Sequence, residues 1–565
     1  MRALALIVST TVWIGLLPAA RAQCQAAKLT ASDMAQGDEF GTSVAIAGDW
    51  ALIGKPQDDD IADQSGAAYL YLRNGAAWPQ YQKLKASDAE FGDAFGTSVA
   101  MSGTVAVVGA PDEFPQGVFD AGAAYVFEFN GASWVETAKL WASDASSTAH
   151  FGLACAVSGN RLLIGAKDES HAGMSSGAAY LFERSVTGWV EVAKLVASDA
   201  APGDAFGRSV ALDGNVALIG APSADGPTSF DFGAAYVFEN GASWSQVAKL
   251  VASDGTTSDF FGISVGVSAG TLLIGASAHD HGLSNAGAAY MFERPLGTWV
   301  QTCELHAADA APGDQFGVSV AVENSLCAIG SNADDDLGFS SGSAHAFRRA
   351  STGWTEIGKF LARDGADFNI LGTQLALSGA RVLAGALGDD DACPGNPYCS
   401  SGSAYVFEFV PQATQYGSCA SGAPCGNVDT HGGCANSTGA GAVLAACGSS
   451  SVAADNLVLE LTGLPPNSVA TVFMGTAQIT WPLGDGLRVV GAGGGTLRRF
   501  PLQQADPLGD FASGPGIAAS TQAFPTATQI HAGQSWNFQC WYRDATGACG
   551  GTTNLSNGLR VDFTP

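Results

Sequence analysis

Positive charge is scarce in this 565-residue chain: 25 Lys and Arg stand against 53 Asp and Glu, a formal net charge of −28 at pH 7. Such a surface repels phosphate backbones, which excludes nucleic acid as a partner. Histidine is rarer still, at eight residues. His150, His171, His279, His281 and His306 fall at differing places in the pattern described below, so no ring of equivalent imidazoles is expected. The chain also lacks His-Glu-x-x-His, a phosphate-binding glycine loop and a Cys-His-Cys metal quartet, which removes the commonest routes to zinc-dependent hydrolysis and nucleotide chemistry. The one long apolar run, Ala3 to Leu17, is short for a membrane span, and the C-terminal residues 560–565 carry no hydrophobic tail.

That apolar run instead reads as part of a signal peptide over residues 1–22. Arg2 supplies its positive start and Ala20-Arg21-Ala22 its small-x-small cleavage site. Cys24 follows a poor lipobox, so a soluble chain outside the cytoplasm is expected, secreted or held at the cell surface. Export permits disulfides among the twelve cysteines. Cys393 with Cys399 and Cys540 with Cys549 are candidate pairs by proximity. Cys419, Cys425, Cys434 and Cys447 cluster, and a disulfide role for Cys434 outweighs zinc ligation with His431. Cys155, Cys303 and Cys327 fall inside strand patterns and read as small buried hydrophobes.

What the chain has in abundance is glycine, at 73 residues, and a repeat. Phe-Gly recurs at Phe40, Phe95, Phe151, Phe206, Phe261 and Phe316, with Leu371-Gly372 as a degenerate seventh copy. Asp33, Asp88, Asp144, Asp199, Asp254, Asp309 and Asp364 precede the seven copies in the same phase. A Gly-Ala-Ala-aromatic type of block follows each, beginning at Gly66, Gly122, Gly177, Gly233, Gly287, Gly342 and Gly402, with His345 at the aromatic position of the sixth. Each copy holds four short apolar runs, A to D, rich in β-formers and bounded by turn residues. Tryptophans 134, 189, 244, 299 and 354 recur near the start of run D. Four strands cannot bury both faces of a sheet, so the copies are expected to stack radially. The pattern begins at Lys28-Leu29, which matches run D, and ends at 402–409, which matches run C. The first segment is therefore expected to complete the last sheet.

Phe-Gly in run A and Val108-Gly109-Ala110-Pro111 or Ile219-Gly220-Ala221-Pro222 closing run B resemble the FG-GAP repeat of integrin α-like proteins. The resemblance covers residues 28–409 and implies an all-β, seven-bladed β-propeller of four-stranded blades over 23–410, closed by an N-terminal strand. The family's calcium loop between runs A and B is absent, because that connection is only a hairpin such as Asp213-Gly214-Asn215. No metal ligand is therefore carried over. After a Cys/Gly/Ser-rich linker over 411–450, strand-like runs near 457–461, 470–473, 486–490, 535–542 and 558–563 imply a C-terminal β-sandwich-like domain over 451–565.

Antiparallel runs place the D-to-A and B-to-C connections on one face. Most acidic residues of the repeats lie there, and only Asp49, Asp213 and Glu323 lie in A-to-B turns. The densest groups, Asp58-Asp59-Asp60, Asp334-Asp335-Asp336 and Asp389-Asp390-Asp391, are candidate calcium ligands, since carboxylates suit hard cations; they also read as solvated loop acid. Asp33 and its equivalents are expected to cap local backbone. A second acid series, Asp38, Asp93, Asp204, Asp259 and Asp314, is broken by Ala149 and Asn369. With no certain cofactor and no catalytic constellation, the expected function is a binding or adhesion scaffold presenting an acidic face to an extracellular protein, glycan or cation. A polysaccharide-directed enzyme at the channel mouth and a purely structural envelope protein are the alternatives.

Overall fold

The computed structural model describes residues 25–565 apart from 76, 227–229, 351–352, 394–395, 397–398, 409–412, 418, 420–422, 425–426, 428, 430–431, 439–440, 448–449, 454, 456, 493–496, 507–508 and 546–551. The segment read as a signal peptide lies outside them. No described helix is long and apolar enough to cross a membrane. The chain divides into two compact units, Gln23–Pro411 and the C-terminal Gln412–Pro565.

Seven four-stranded antiparallel sheets make up the first unit. The third is representative: Ala154–Ser158, Arg161–Ala166, Ala178–Ser185 and Gly188–Leu195. Its second strand is buried except at Arg161, and its third over Ala178 to Phe182, because neighbouring sheets cover both faces. Its fourth strand alternates, with Val190 and Val192 exposed, because one face meets water. A β-bulge recurs between the third and fourth strands, as at Leu181/Phe182 and Val237/Phe238.

The seventh sheet contains Leu375–Ser378, Arg381–Ala386 and Ser403–Glu408. Its fourth strand is the chain's first, Gln25–Leu29, paired with register Lys28 to Tyr405 and Leu29 to Ala404. The first strand of every sheet packs on the first strands of two neighbours, and that of the seventh packs on that of the first.

Glycine makes this close approach possible. Gly41 has φ +96°, and a Cβ there would lie 2.3 Å from Ser403 O. Gly385 sits in the seventh sheet's second strand, where a Cβ would lie 2.0 Å from Gly41 O. The Phe-Gly glycine of one repeat thus touches the Gly-Ala glycine of the repeat before it. Phe40 is fully buried and packs edge-on to Tyr69 at 5.6 Å.

In the C-terminal unit, Val458–Thr462 pairs with Val443–Cys447 and Phe511–Ser513. A second sheet contains Val469–Gly475, Ser535–Arg543, Gly558–Asp562 and Ala413–Tyr416. Parts of the stretch read as a linker, Ala413–Tyr416 and Val443–Cys447, are therefore strands of this unit.

Candidate functional site: the loop face of the repeats

The connections after the second and fourth strands leave the same edge of each sheet and bond to one another. In six places the loop before the first strand donates backbone N–H groups to the loop of the preceding sheet, as in Phe95 N to Ser65 O at 3.2 Å and Phe206 N to Ser176 O at 3.3 Å. The seventh junction repeats the pattern with Phe40 N to Ser401 O at 3.2 Å and Gly37 N to Cys399 O at 2.8 Å.

Beneath the loops runs a recurrent pin of lysine, tyrosine and aspartate. In the first sheet Tyr69 Oη donates to Asp33 Oδ1 at 2.6 Å and Asp58 Oδ2 at 3.0 Å. Lys83 Nζ meets Asp33, Asp58 and Asp60 at 2.7, 2.8 and 2.5 Å. Lys139 joins Asp88 and Glu113, Lys194 joins Asp144 and Glu169, and Lys249 joins Asp199. In the sixth sheet Lys359 meets Asp309, Asp334 and Asp336. In the seventh, Lys28 of the first strand meets Asp364, Asp389 and Asp391 at 2.7, 3.0 and 2.6 Å. The lysine and tyrosine face each other across adjacent strands, as in Tyr69 opposite Lys83, so one strand pair positions both.

The first and third aspartates of each triplet thus surround an ammonium group. Calcium would have to displace lysine to reach Asp58 and Asp60, Asp334 and Asp336, or Asp389 and Asp391. The middle residues stand apart: Asp59 Oδ1 accepts from Gln64 N at 2.8 Å, while Asp335 and Asp390 accept loop N–H groups through their backbone carbonyls. Lys55 is a further buried cation, between Asp38 at 2.7 Å and Asp58 at 2.9 Å.

Asp33 and its equivalents were expected to cap local backbone; the carboxylates of Asp88, Asp144, Asp199 and Asp364 do bond their own backbone, and those of Asp33, Asp88, Asp144, Asp199 and Asp364 also bridge tyrosine and lysine of the following sheet. The second series caps its turns as well. Asp38, Asp93, Asp204, Asp259 and Asp314 each accept an N–H from three residues earlier, such as Ala201 N to Asp204 at 2.8 Å. Asn369 accepts from Ala366 N in the same way at 2.6 Å. A neutral amide serves as well as a carboxylate, so this series needs an acceptor and no cation.

Seven stretches, residues 24–71, 78–127, 134–182, 189–238, 244–292, 299–347 and 354–407, match the FG-GAP repeat. The chain belongs to the FG-GAP repeat family. No curated protein matches it. Each FG-GAP stretch starts near a fourth strand and ends in the third strand of the next sheet, so the repeat is offset from the sheet by one strand.

The FG-GAP loops also present a feature not read from the sequence. Three residues before the Gly-Ala block stand Phe119, Met174, Phe230 and Phe339, exposed by 56, 80, 74 and 63 %. Their backbone is held: the carbonyls of Phe119, Met174, Phe230 and Phe339 accept N–H groups of Thr148, Gly203, Ser258 and Phe368 at 2.7 to 3.0 Å. The residue after each, Asp120, Ser175, Asp231 or Ser340, has φ between 47 and 52°, which turns the loop at a fixed point. The sequence signal was present as a fixed offset from Gly122, Gly177, Gly233 and Gly342, but the residue types differ.

Cys393 and Cys399 form the expected disulfide in the loop of the seventh sheet, with Cα atoms 6.0 Å apart. Cys419 pairs with Cys434, and Cys447 is also disulfide-bonded. The expected Cys540–Cys549 bridge needs correction. Cys540 is an unpaired, buried thiol in the strand Ser535–Arg543, and burial pushes it up. Cys549 and His431 lie outside the described residues. Cys155 and Cys303 are half-buried and Cys327 buried, all unpaired.

These environments set a pH dependence. Burial raises Asp33, Asp58, Asp88, Asp144, Asp199 and Asp364, but the lysine bonds outweigh it and hold them below the usual range. Lys83 and Lys85 bring Asp60 down to about 2. A depressed carboxyl stabilises the fold above its unfolded value, near 4, and that contribution is lost as pH falls through the folded value. Burial pushes Asp93 and Asp314 up to about 6. Their contribution has the opposite sign: it is present below about 4 and lost as pH rises through 6. The melting temperature is therefore expected to peak between pH 4 and 5, falling toward both pH 2 and pH 7. A calorimetric melt highest at pH 7 or above contradicts this.

Proposed function

We propose that this FG-GAP chain is an exported, adhesion-type binding scaffold that acts by recognition rather than turnover. Its seven sheets are read as a closed seven-bladed propeller, with Gln25–Leu29 completing the last blade. Support comes from the cyclic packing of the first strands and from the contact of Gly385 with Gly41. Export rests on the pattern of residues 1–22. The C-terminal unit is read as an accessory β-sandwich.

One observation carries the binding reading. Phe119, Met174, Phe230 and Phe339 place large apolar side chains in water on backbone that is already hydrogen-bonded. Exposed apolar groups of this size mark interaction surfaces when they recur together. Loops fixed beforehand lose little freedom on binding, so more of the contact energy becomes affinity. Carboxylates around these tips suit a protein or glycan that offers apolar groups flanked by positive charge. The pin carboxylates are committed to ammonium groups, which argues against their acting as the free acid–base pair of a polysaccharide hydrolase.

A variant carrying F119S, M174S, F230S and F339S tests this reading. Because all four side chains are exposed, its melting temperature is expected to stay within about 2 °C of the parent. Its retention on immobilised extracellular protein and glycan fractions is expected to fall at least tenfold. Equal retention of both proteins, or turnover in a glycan and ester screen, would sink the proposal.

A further inference from the structure

The fifth sheet breaks the pin in a specific way. Where the other six sheets carry lysine in the outer strand, this one carries Glu304. Where Asp58, Glu113, Glu169, Asp334 and Asp389 accept that lysine, it carries His279. Two further histidines stand alongside, His281 two residues after His279 and His306 two residues after Glu304. Tyr290 still donates to Asp254 Oδ1 at 3.1 Å, so Asp254 keeps its place and now faces a carboxylate instead of an ammonium group.

A simple reversal of the ion pair does not account for the geometry. His279 Nε2 and His281 Nδ1 each lie 3.7 Å from Glu304 Oε1, too far for a hydrogen bond. His306 Nε2 lies 2.9 Å from the same oxygen, yet Glu304 Oε1 is buried and makes no hydrogen bond among the described residues. His279 Nδ1 is 3.0 Å from Asp259 Oδ2. A proton on Nδ1 toward Asp259 leaves Nε2 able to ligate, the carboxylate–histidine arrangement that orients a metal ligand. The donor atoms of His279, His281 and Glu304 all lie within 4.8 Å of one another. Ligands about 2.1 Å from a tetrahedral ion are about 3.4 Å apart, close to the 3.7 Å that separates each histidine nitrogen from Glu304 Oε1.

We propose that His279 Nε2, His281 Nδ1 and Glu304 Oε1 bind a zinc-class divalent ion in the fifth sheet. Two imidazoles and one carboxylate suit zinc and not calcium, which takes oxygen donors. The ion ties the loop after the second strand to the outer strand, which is what lysine does in the other sheets. His306 Nε2 and Asp254 Oδ2, the latter 3.8 Å from His279 Nε2, flank the fourth position. His279 is buried while His281 is 53 % exposed on its side chain, so the site opens toward solvent on the loop face.

Untagged mature protein, stripped with chelator and titrated with zinc chloride, tests the site. Glu304→Lys restores the residue used by the other six sheets and is expected to fold while binding one zinc fewer per chain than the parent. His281→Ala, at an exposed position, is expected to weaken binding at least tenfold. X-ray absorption of the zinc form should show imidazole nitrogen together with oxygen in the first shell. Zinc binding by Glu304→Lys and His281→Ala equal to the parent, or no binding by the parent, overturns the proposal.

Discussion

A chain shortened to begin after residue 31 is expected to lose the cooperative melt of its repeat unit, or to melt at least about 10 °C lower. Gln25–Leu29 is the fourth strand of the seventh sheet, and its removal opens the edge of Ser403–Glu408. Leu29 and Ala31 are buried, and loss of a buried leucine side chain alone costs about 2–5 kcal/mol. Lys28 goes as well, leaving Asp389 buried beside Asp364 and Asp391. Stripping a buried carboxylate of its cation costs about 3–5 kcal/mol. Together these approach the 5–15 kcal/mol that typically separates folded from unfolded chains. A synthetic peptide spanning residues 23–34 should restore the melt by pairing with the open edge, and a peptide with Lys28→Met should restore less of it. An unchanged melt in the shortened chain would mean that the seventh sheet does not need its outer strand and that the ring is not closed there.

Lys359→Met is expected to destabilise the repeat unit by about 3–5 kcal/mol. The Lys359 side chain is 2 % exposed and lies between Asp309, Asp334 and Asp336. Burial alone would push its ammonium down, yet the three carboxylates hold it above its usual range. Removing it strands three negative charges, one of them, Asp334, nearly as buried as the lysine. Adding Asp334→Asn to the variant should recover part of the loss. Arg349 and Glu293 provide the contrast. They sit 2.8 Å apart with the arginine 46 % exposed, and Arg349→Met should cost less than about 1 kcal/mol. Denaturant melts of the four proteins check the ordering. Equal effects at Lys359 and Arg349 would show that the pins do not hold the loops.

The candidate site was half legible before the fold was known. Asp33 and its equivalents stood out by their phase, and so did the triplets at 58–60, 334–336 and 389–391. Their partners did not. Lys83 meets Asp33 across a gap of 50 positions, and no local pattern reports which loop a strand passes under. Asn369 looked like a break in an acidic series, yet its amide accepts the same turn N–H that Asp314 accepts. His279 and Glu304 looked like scattered substitutions until the sheet placed them at the two ends of one missing ion pair. Cys540 and Cys549 looked like neighbours because nine residues separate them, but Cys540 is an unpaired thiol turned into a core.

The sequence by itself determined the number of sheets, the four strands in each and the assignment of Lys28-Leu29 to the last of them. Those features follow from turn glycines, short apolar runs and a constant period, all of which act over a few residues or repeat exactly. Only the tertiary structure decided which charges meet, which apolar tips stand in water and which sheet lacks its lysine. Such relations depend on how the chain returns to itself after some fifty residues, and the energy of a buried charge depends on what surrounds it in space.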